Sequence, residues 1–575
     1  MKKLLKYLKG YEKETVLGPL FKLVEAVFEL AVPIVVAGII DGGIRQGDWN
    51  AVLLRCLLLV GLAVAGLIFS VTAQYFSAVA AVGFATKLRH ALFARVQQFS
   101  YSQLDTLGTS ALITRMTSDI NTVQNGVNMM LRLFLRSPFI VFGAAVMAFV
   151  VDPHSAVTFV IVIPALSIVV FAIILVSIPL YDKVQRRLEG VLGATRENLS
   201  GARVIRAFCA EDREEKAFVE KNKALLFMQK AVGKISALMN PLTYVVINLG
   251  IIALLWVGAG QVDAGIITTG AVIALYNYMS QILVELVKMA NMIVMITKSF
   301  ASAARIEETL AVEPEAPAGS GEICAALGKP GVCFTNVSLR YAGAGEDSLA
   351  DISFTAQDGE MIGVIGGTGS GKTSLMNLIP GFYLPREGQV LVDGIGTDQW
   401  DPAQLRQRIG VVPQKAVLFS GTIRDNMLWG NPNADDAAIW KALETAQAAQ
   451  VVRDKGGLDA VVEQGGRNFS GGQRQRLTIA RALVRAPRIL ILDDSASALD
   501  HATEAALRGA IRTLSPKPLV FVVSQRASSV MHADQILVLE DGSIAGKGTH
   551  QELLAGCQIY REIYQSQFGS GEVTA

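Results

Sequence analysis

The sequence is poor in the features of secreted and nucleic-acid-binding proteins. Its five cysteines, at positions 56, 209, 324, 333 and 557, form no Cys-x-x-Cys pair and indicate no disulfide framework. The formal net charge is only +2, and no nucleic-acid-binding motif is present. The chain starts with basic residues, but Glu12 and Glu14 interrupt the apolar stretch and no small-residue cleavage site follows. This start therefore predicts an uncleaved amphipathic helix on the cytosolic membrane surface rather than a signal peptide.

The sequence is rich in long apolar segments. Its 575 residues are too many for one compact domain, and the mean hydropathy of +0.41 is high for a soluble protein. Four charge-free runs are long enough to cross a bilayer, which takes about 20 mostly apolar residues, and two further apolar stretches contain a few charged residues. The sequence predicts six membrane spans, at about 16–41, 52–80, 130–151, 155–181, 235–262 and 264–287.

The basic residues predict how these spans are oriented. Lys and Arg concentrate in the long connections 87–136 and 182–234, whereas the short connections 42–51, 152–154 and 261–264 are nearly free of them. By the positive-inside rule, the long connections and both termini lie in the cytosol of a multi-pass plasma-membrane protein. Helical periodicity continues through the long connections, with breaks that predict short crosswise helices near 100–110 and 210–215.

Two groups of residues inside the spans have alternative interpretations. Glu25 and Glu29 share a helix face and either bind a cationic substrate or a proton, or form a structural cluster with Lys22. A methionine series on the sixth helix is either ordinary packing, which we favour, or an adaptable apolar wall for varied ligands. This series consists of Met289, Met292 and Met295.

After residue 310 the composition changes, which divides the chain into a membrane domain (1–310), a Pro/Gly/Ala/Glu-rich linker (311–330) and a soluble α/β domain (331–575). Apolar segments predict strands near 332–338, 361–366, 410–413, 488–493 and 519–523. The fold class is a membrane all-α domain of six long helices followed by an α/β P-loop domain.

The soluble domain carries a phosphate-loop motif. The motif G-x-x-x-x-G-K-[ST] follows an apolar strand and opens a helix, as the motif requires. Backbone amides would surround the phosphates, Lys372 would reach the β- and γ-phosphates, and Thr373 would ligate Mg²⁺ together with Asp493 at the end of the strand Ile-Leu-Ile-Leu-Asp. The predicted ATP-binding residues here are Gly366, Gly367, Thr368, Gly369, Ser370, Gly371, Lys372, Thr373 and Ser374.

Residues 468–476, Asn-Phe-Ser-Gly-Gly-Gln-Arg-Gln-Arg, closely resemble the Leu-Ser-Gly-Gly-Gln signature of ATP-binding-cassette (ABC) proteins, with Phe469 in place of the Leu. The resemblance then covers the whole chain and is to exporter half-transporters of the multidrug type. It implies phosphate contacts from Ser470, Gly471, Gly472 and Gln473, and adenine stacking on Tyr341. It further implies that Gln414 senses Mg²⁺, that 497–500 is the D-loop, that 463–466 contacts cytosolic helices and that the crosswise helices dock on the cassettes.

Two positions depart from the family pattern. Asp494 stands where the family has the Glu that acts as general base, and its shorter side chain falls roughly an ångström short of the attacking water. Gln525 stands at the switch-loop histidine, and none of the five histidines (90, 154, 501, 532 and 550) occupies that slot. Glutamine can hydrogen-bond a phosphate but cannot gain a proton near neutral pH.

These departures predict a site that retains ATP. Since ABC cassettes pair head to tail, a productive transporter would need a second, different half-transporter whose ATP is completed by the signature of this chain. The predicted function is ATP-driven export of amphipathic or hydrophobic small molecules by a heterodimer in the lipid bilayer. The alternatives are a homodimeric exporter, a lipid or peptide exporter, or a regulatory ATP-binding subunit whose partner performs all hydrolysis.

Overall fold

The computed structural model describes residues 2–313 and 331–568. Most of the predicted linker, residues 314–330, lies outside the described residues, as does 569–575. Contacts divide the described chain into two units. The first contains residues 2–98 and 109–313, and the second contains 99–108 together with 331–568. Each unit is described separately below.

The first unit is entirely helical. It begins with a short 3₁₀ helix, Lys2–Leu8, and contains π-helical turns at Ile40–Ile44 and Arg115–Asp119. Its α-helices are α1 (Glu12–Ile39), α2 (Trp49–Val96), α4 (Thr109–Thr114), α5 (Ile120–Leu133), α6 (Arg136–Val151), α7 (Pro153–Ser200), α8 (Ala202–Ala207), α9 (Glu211–Ala237), α10 (Met239–Asp263) and α11 (Thr269–Ala311), while α3 (Tyr101–Leu107) belongs to the second unit.

Six of these helical segments in the described chain are long and apolar enough to cross a membrane. They are Glu12–Ile44, Trp49–Val96, Thr109–Val151, Pro153–Ser200, Glu211–Asp263 and Thr269–Ala311. The number of spans agrees with the prediction, and several helices extend far beyond the predicted apolar stretches. Asp48 and Asp152 begin α2 and α7, because each carboxylate accepts hydrogen bonds from two backbone amides of the first turn.

Two predicted boundaries were wrong. The sixth helix begins at Thr269 rather than near 264, because Gly265 adopts a left-handed backbone (φ 71°) and the Thr268 side chain caps the helix by accepting from Ala271 N. The second crosswise helix is α8, Ala202–Ala207, rather than 210–215. Gly201 interrupts the preceding helix and Cys209 turns the chain with φ 49°, so Glu211 already starts α9.

The second unit is built around a six-stranded sheet in the order β12-β11-β3-β10-β9-β6, parallel except for β12. A four-stranded antiparallel sheet, β2-β1-β4-β5, and a two-stranded one, β7-β8, complete it. The strands are β1 (Val332–Leu339), β2 (Leu349–Ala356), β3 (Met361–Gly366), β4 (Glu387–Val392), β5 (Ile395–Gly396), β6 (Ile409–Val412), β7 (Gly421–Thr422), β8 (Val461–Val462), β9 (Ile489–Asp493), β10 (Leu519–Ser524), β11 (Gln535–Glu540) and β12 (Ser543–Gly548).

Helices flank these sheets. They are α12 (Lys372–Leu378), α13 (Pro402–Gln407), α14 (Ile423–Leu428), α15 (Asp436–Thr445), α16 (Ala449–Asp454), α17 (Gly471–Val484), α18 (His501–Arg512), α19 (Ala527–Val530), α20 (His550–Gly556) and α21 (Gln558–Phe568). All five predicted strands are present. The prediction missed β2, β4, β5, β7, β8, β11 and β12. β2 and β12 alternate in exposure and β5, β7 and β8 have only two residues each, which are weak signals, whereas β11 is a buried apolar run that was overlooked.

The first predicted crosswise helix, α3, packs within the second unit. The Tyr101 ring lies 4.5 Å from the Phe382 ring, and the Tyr383 hydroxyl donates a hydrogen bond of 2.5 Å to Asp105. Burial and the Asp105 carboxylate raise the pKa of the Tyr383 hydroxyl well above its ordinary value. A chain segment from between the second and third spans is therefore part of the unit that contains the phosphate loop.

Candidate nucleotide-binding site

The parallel sheet brings the predicted nucleotide motifs to one edge. β10 pairs in parallel with both β3 and β9, in a register that sets Val523 beside Asp493 and Ser524 beside Ile365. β3 and β9 are buried along their whole length, as their apolar sequences predicted. Since the carboxyl ends of parallel strands meet at the same edge, the segments after these strands surround one cavity.

This cavity has a volume of about 730 Å³. The residues that line it include much of the phosphate loop, both aspartates and the two glutamines, Gln414 and Gln525, singled out in the sequence. Those predicted site residues on its wall are Thr368, Gly369, Gly371, Lys372, Thr373, Ser374, Gln414, Asp493, Asp494 and Gln525. The wall also includes residues 346–348 and 541–542, which the sequence analysis missed because they carry no motif.

The phosphate loop has the backbone that its glycines were expected to allow. Gly369 and Gly371 adopt left-handed conformations, with φ of 86° and 93°. A side chain on Gly371 would approach the Ser348 carbonyl oxygen to 2.8 Å, so the position has no room for one. The Lys372 ammonium donates to the carbonyl oxygens of Gly366 (2.9 Å) and Gly367 (2.5 Å), and burial lowers the pKa of this ammonium below its ordinary value.

Two oxygen-bearing side chains that could bind a metal ion meet beside the phosphate loop. The Thr373 hydroxyl donates to the Asp493 carboxylate, with Oγ1–Oδ2 and Oγ1–Oδ1 distances of 3.0 and 3.2 Å. Burial raises the pKa of the Asp493 carboxyl above its ordinary value. A hydroxyl and a carboxylate in contact are the hard oxygen ligands that Mg²⁺ prefers alongside phosphate and water, so this pair fits the ion.

Asp494 occupies an unusual position at the edge of the cavity. Its backbone is left-handed (φ 43°), and its amide donates to the Val523 carbonyl oxygen at 3.0 Å. Its carboxylate accepts a hydrogen bond from Gln414 Nε2 at 3.3 Å. Burial raises the pKa of the Asp494 carboxyl. The Asp494 side chain is thus hydrogen-bonded to Gln414, the residue for which the family resemblance implies Mg²⁺ sensing.

The signature residues lie elsewhere in the unit. Ser470 begins α17 and forms a capping box with Gln473, in which the serine hydroxyl accepts from Gln473 N (3.3 Å) and the glutamine side chain accepts from Ser470 N (2.9 Å). Ser470 and Gly471 are exposed, while Phe469 is buried among apolar side chains. The substitution of Phe for Leu therefore fills the core and leaves the polar end of the motif accessible.

Tyr341 also stands apart from the cavity wall in the described structure. Its hydroxyl donates to Ser374 Oγ at 2.9 Å, and its ring meets that of Tyr383 edge to face at 5.0 Å between centroids. The adenine-stacking role remains a prediction.

Fold and site together define a class of protein: a membrane protein of six spans with a P-loop nucleotide-binding cassette in the same chain. Comparison with known proteins then gives the family. Residues 15–286 match the ABC transporter transmembrane region, and residues 349–497 match the ABC transporter cassette family. The chain belongs to the ABC transporter family, and the predicted fold class is confirmed.

Individual relatives agree with this assignment. An uncharacterized ABC transporter ATP-binding protein of Bacillus subtilis, YfiB, is 36% identical over 99% of both chains. A probable multidrug resistance ABC transporter ATP-binding/permease protein of the same organism, YheI, is 35% identical over 70% of each. The solved structure of a bacterial Atm1-family ABC exporter with ATP bound covers 97% of this chain and 99% of its own, with a TM-score of 0.80 and 23% identity, and so supports the fold.

The chain is therefore an exporter-type half-transporter, a multi-pass membrane protein whose cassette binds ATP and couples its hydrolysis to transport.

Proposed function

We propose that the chain exports amphipathic or hydrophobic small molecules as one half of a heterodimer, and that its own ATP site is slow. One observation carries the second part: Asp494 and Gln525 line the same cavity, at the positions where the family has glutamate and histidine. The name of the relative YheI, a probable multidrug resistance transporter, supports the substrate class. The basic long connections support a cytoplasmic cassette and cytoplasmic termini.

In this proposal ATP lies in the cavity with its phosphates on the amides of the phosphate loop. Lys372 contacts the β- and γ-phosphates in place of its present carbonyl acceptors, and Thr373 and Asp493 hold Mg²⁺, with Gln414 beside them. The ion would neutralise charge on the phosphates. Tyr341 would move to the adenine. The signature residues would complete the ATP site of a partner subunit; they are Ser470 and Gly471, which are exposed, and Gly472 and Gln473, which are partly buried.

Asp494 is poorly suited to be a general base. A base must lie within about 2.6–3.2 Å of the proton that it takes, and aspartate is one methylene shorter than glutamate. Its contact with Gln414 also opposes proton abstraction, because that hydrogen bond occupies a carboxylate oxygen. Loss of a positioned base costs roughly 10²–10⁴-fold in rate. Gln525 can still hydrogen-bond the γ-phosphate, which favours retention of ATP.

The test is Asp494→Asn in the assembled transporter, read as steady-state ATPase activity. We expect little change, because the partner's site performs most turnovers. Asp493→Asn is the matched control: it removes the carboxylate that contacts Thr373 and should abolish Mg²⁺-dependent ATP binding at this site. A fall to background activity in Asp494→Asn would show that Asp494 is catalytic and would overturn the slow-site proposal.

A further inference from the structure

Six charged side chains form a network inside the membrane unit. Arg136 on α6 donates to Glu29 of α1 (2.6 Å) and to Glu285 of α11 (2.8 Å), and lies 4.0 Å from Glu25. Glu285 also accepts from Ser137 and Lys288, each at 2.8 Å. Lys22 pairs with Glu25 and donates to Ser70 at 3.0 Å. A structural cluster of Lys22 with Glu25 and Glu29 was one of the two predicted alternatives, whereas the pair at the centre of the network, Arg136 and Glu285, was not predicted.

The network lies at membrane depth. Glu29 precedes Ile44 by 15 residues, Arg136 precedes Val151 by 15, and Glu285 follows Thr269 by 16. At 1.5 Å per residue, each lies about 22–24 Å from the end of its helix that adjoins one of the short connections predicted to be non-cytosolic. This places each inside a hydrocarbon core of about 30 Å. Charges at such depth are costly and most often serve a pathway or a ligand.

The three glutamates of the network differ in how exposed they are and in how many cations they contact. The side chain of Glu285 is 3% exposed and that of Glu25 is 15% exposed, whereas the side chain of Glu29 is 37% exposed. Among the described residues, Arg136 is the one cation paired with Glu29. If Glu29 paired with another cation, Arg136 would still be paired with Glu285 and close to Glu25. Glu29 is therefore the acid that can exchange its partner.

Charge balance does not prevent this exchange. Glu25, Glu29 and Glu285 offset Lys22, Arg136 and Lys288, so an added cation leaves one surplus positive charge. The Lys288 side chain is 43% exposed, so that water can screen its charge.

An apolar groove begins beside the exchangeable acid. It lies between α1 and α6, has a volume of about 730 Å³, and is lined almost entirely by apolar side chains. Leu30 follows Glu29 directly, and Pro138 and Phe139 follow Arg136 by two and three residues, so the groove and the charge network share a boundary. Further lining residues are Val27, Ile34, Phe142 and Met147.

We propose that the Glu29 carboxylate and the α1–α6 groove bind an amphipathic organic cation, with Arg136 as the resident counter-ion that the ligand displaces. The inference rests on the proposed export function and narrows its substrate class. The positive centre pairs with Glu29 in a low-dielectric setting, and the apolar body lies along Leu30, Ile34 and Phe142. A lipid chain or partner helix in the groove would not distinguish ligands by charge.

The experiment uses the assembled transporter in proteoliposomes and three related probes. These are tetraphenylphosphonium, a cation; triphenylphosphine oxide, a neutral analogue; and tetraphenylborate, an anion of the cation's size. The concentration for half-maximal ATPase stimulation is measured for each. We expect Glu29→Gln to raise that concentration about tenfold for the cation, and less than twofold for the neutral probe. Glu29→Asp, which keeps the charge, should retain part of the preference and serves if Glu29→Gln does not assemble.

Glu25→Gln is the matched control, since Glu25 is paired with Lys22 on the same helix, and it should leave the cation preference intact. Phe142→Ala should weaken stimulation by the cation and the neutral probe alike. Unchanged responses to the cation and the neutral probe in Phe142→Ala would show that neither probe binds in the groove and would overturn its role. An equal response of wild type and Glu29→Gln to the cation would overturn the Glu29 site while export stands. Absence of stimulation and transport by any probe would instead contradict the proposed amphiphile export.

Discussion

At the scale of single residues, the ATP site differs from the family pattern in two side chains: Asp494 is shorter than the family's glutamate, and Gln525 cannot titrate as the family's histidine does. Asp494 reaches Gln414 and is held there, and Gln525 lacks the proton that histidine gains near neutral pH. Asp493, one residue earlier, contacts Thr373, which supports the Mg²⁺-binding role proposed for this pair. The two adjacent aspartates thus have different contacts, because β9 ends at Asp493.

The combined variant Asp494→Glu with Gln525→His should convert this site into a fast one. The added methylene extends the carboxylate by about 1.5 Å, and the histidine restores a titratable contact to the γ-phosphate. After a single turnover, the nucleotide held on each chain is separated and identified. We expect ATP on the wild-type chain and ADP on the double variant, from a rise in rate of about 10²-fold or more.

The same variant with Asp493→Asn added serves as the control and should hold neither nucleotide. ADP on the wild-type chain at the rate of the double variant would show that Asp494 is already an efficient base.

At the scale of secondary-structure elements, polar contacts add to apolar packing at the seam between α5 and α11. Arg305 Nε donates at 2.9 Å to Asp119, which is the last residue of the π-helical turn that precedes α5. Further along, Gly126 lies so close to Ser299 that a Cβ would come within 2.1 Å of the serine hydroxyl. A second guanidinium nitrogen of Arg305 lies 2.5 Å from the Asp119 carboxylate, so the two side chains form an ion pair.

Asp119→Asn should therefore loosen the α5–α11 seam. Asp119 is buried, whereas Arg305 is half-exposed and can return to water, so we expect a loss of about 1–2 kcal/mol rather than the cost of a fully buried charge. The measurement is the apparent Tm of the purified transporter, which should fall by a few degrees.

Arg213→Ala breaks an exposed pair with Glu214 and is the matched control, with no expected shift. An equal Tm for Asp119→Asn and wild type would show that the pair does not stabilise the seam.

At the scale of the whole molecule, the described chain presents surfaces that a single half-transporter leaves open. In the most apolar window of Trp49–Val96 none of the residues is buried, as expected of a helix that faces lipid or another chain. In the cassette, Ser470 and Gly471 of the signature are exposed, and they do not line the cavity that contains Lys372. Both features favour function in an assembly.

Native mass spectrometry of the purified transporter should therefore detect a second half-transporter of different mass bound to this 61.5 kDa chain. The physical reason is that a slow site in each of two identical subunits would leave no fast site to drive transport. A complex that contains only copies of the 61.5 kDa chain and hydrolyses ATP rapidly would contradict the heterodimer.

Several features could be predicted from sequence because their signals are local. The phosphate loop was placed correctly because strand, glycine-rich turn and helix are consecutive, and β3 and β9 were placed because continuous apolar runs of that length are typical of buried parallel strands. The number of spans followed from apolar length alone. Local reasoning was weakest where one glycine or one cap decides a boundary, as at Gly201 and Thr268.

The sequence by itself thus determined the six spans, the cassette and the identities of Asp494 and Gln525, since all of these are properties of consecutive residues. Only the tertiary structure decided which distant side chains meet. Arg136 and Glu285 are 149 residues apart and Gln414 and Asp494 are 80 apart, so neither contact has a sequence signal. Helix packing left Glu29 accessible and buried Met292, because exposure depends on which neighbours surround a helix face.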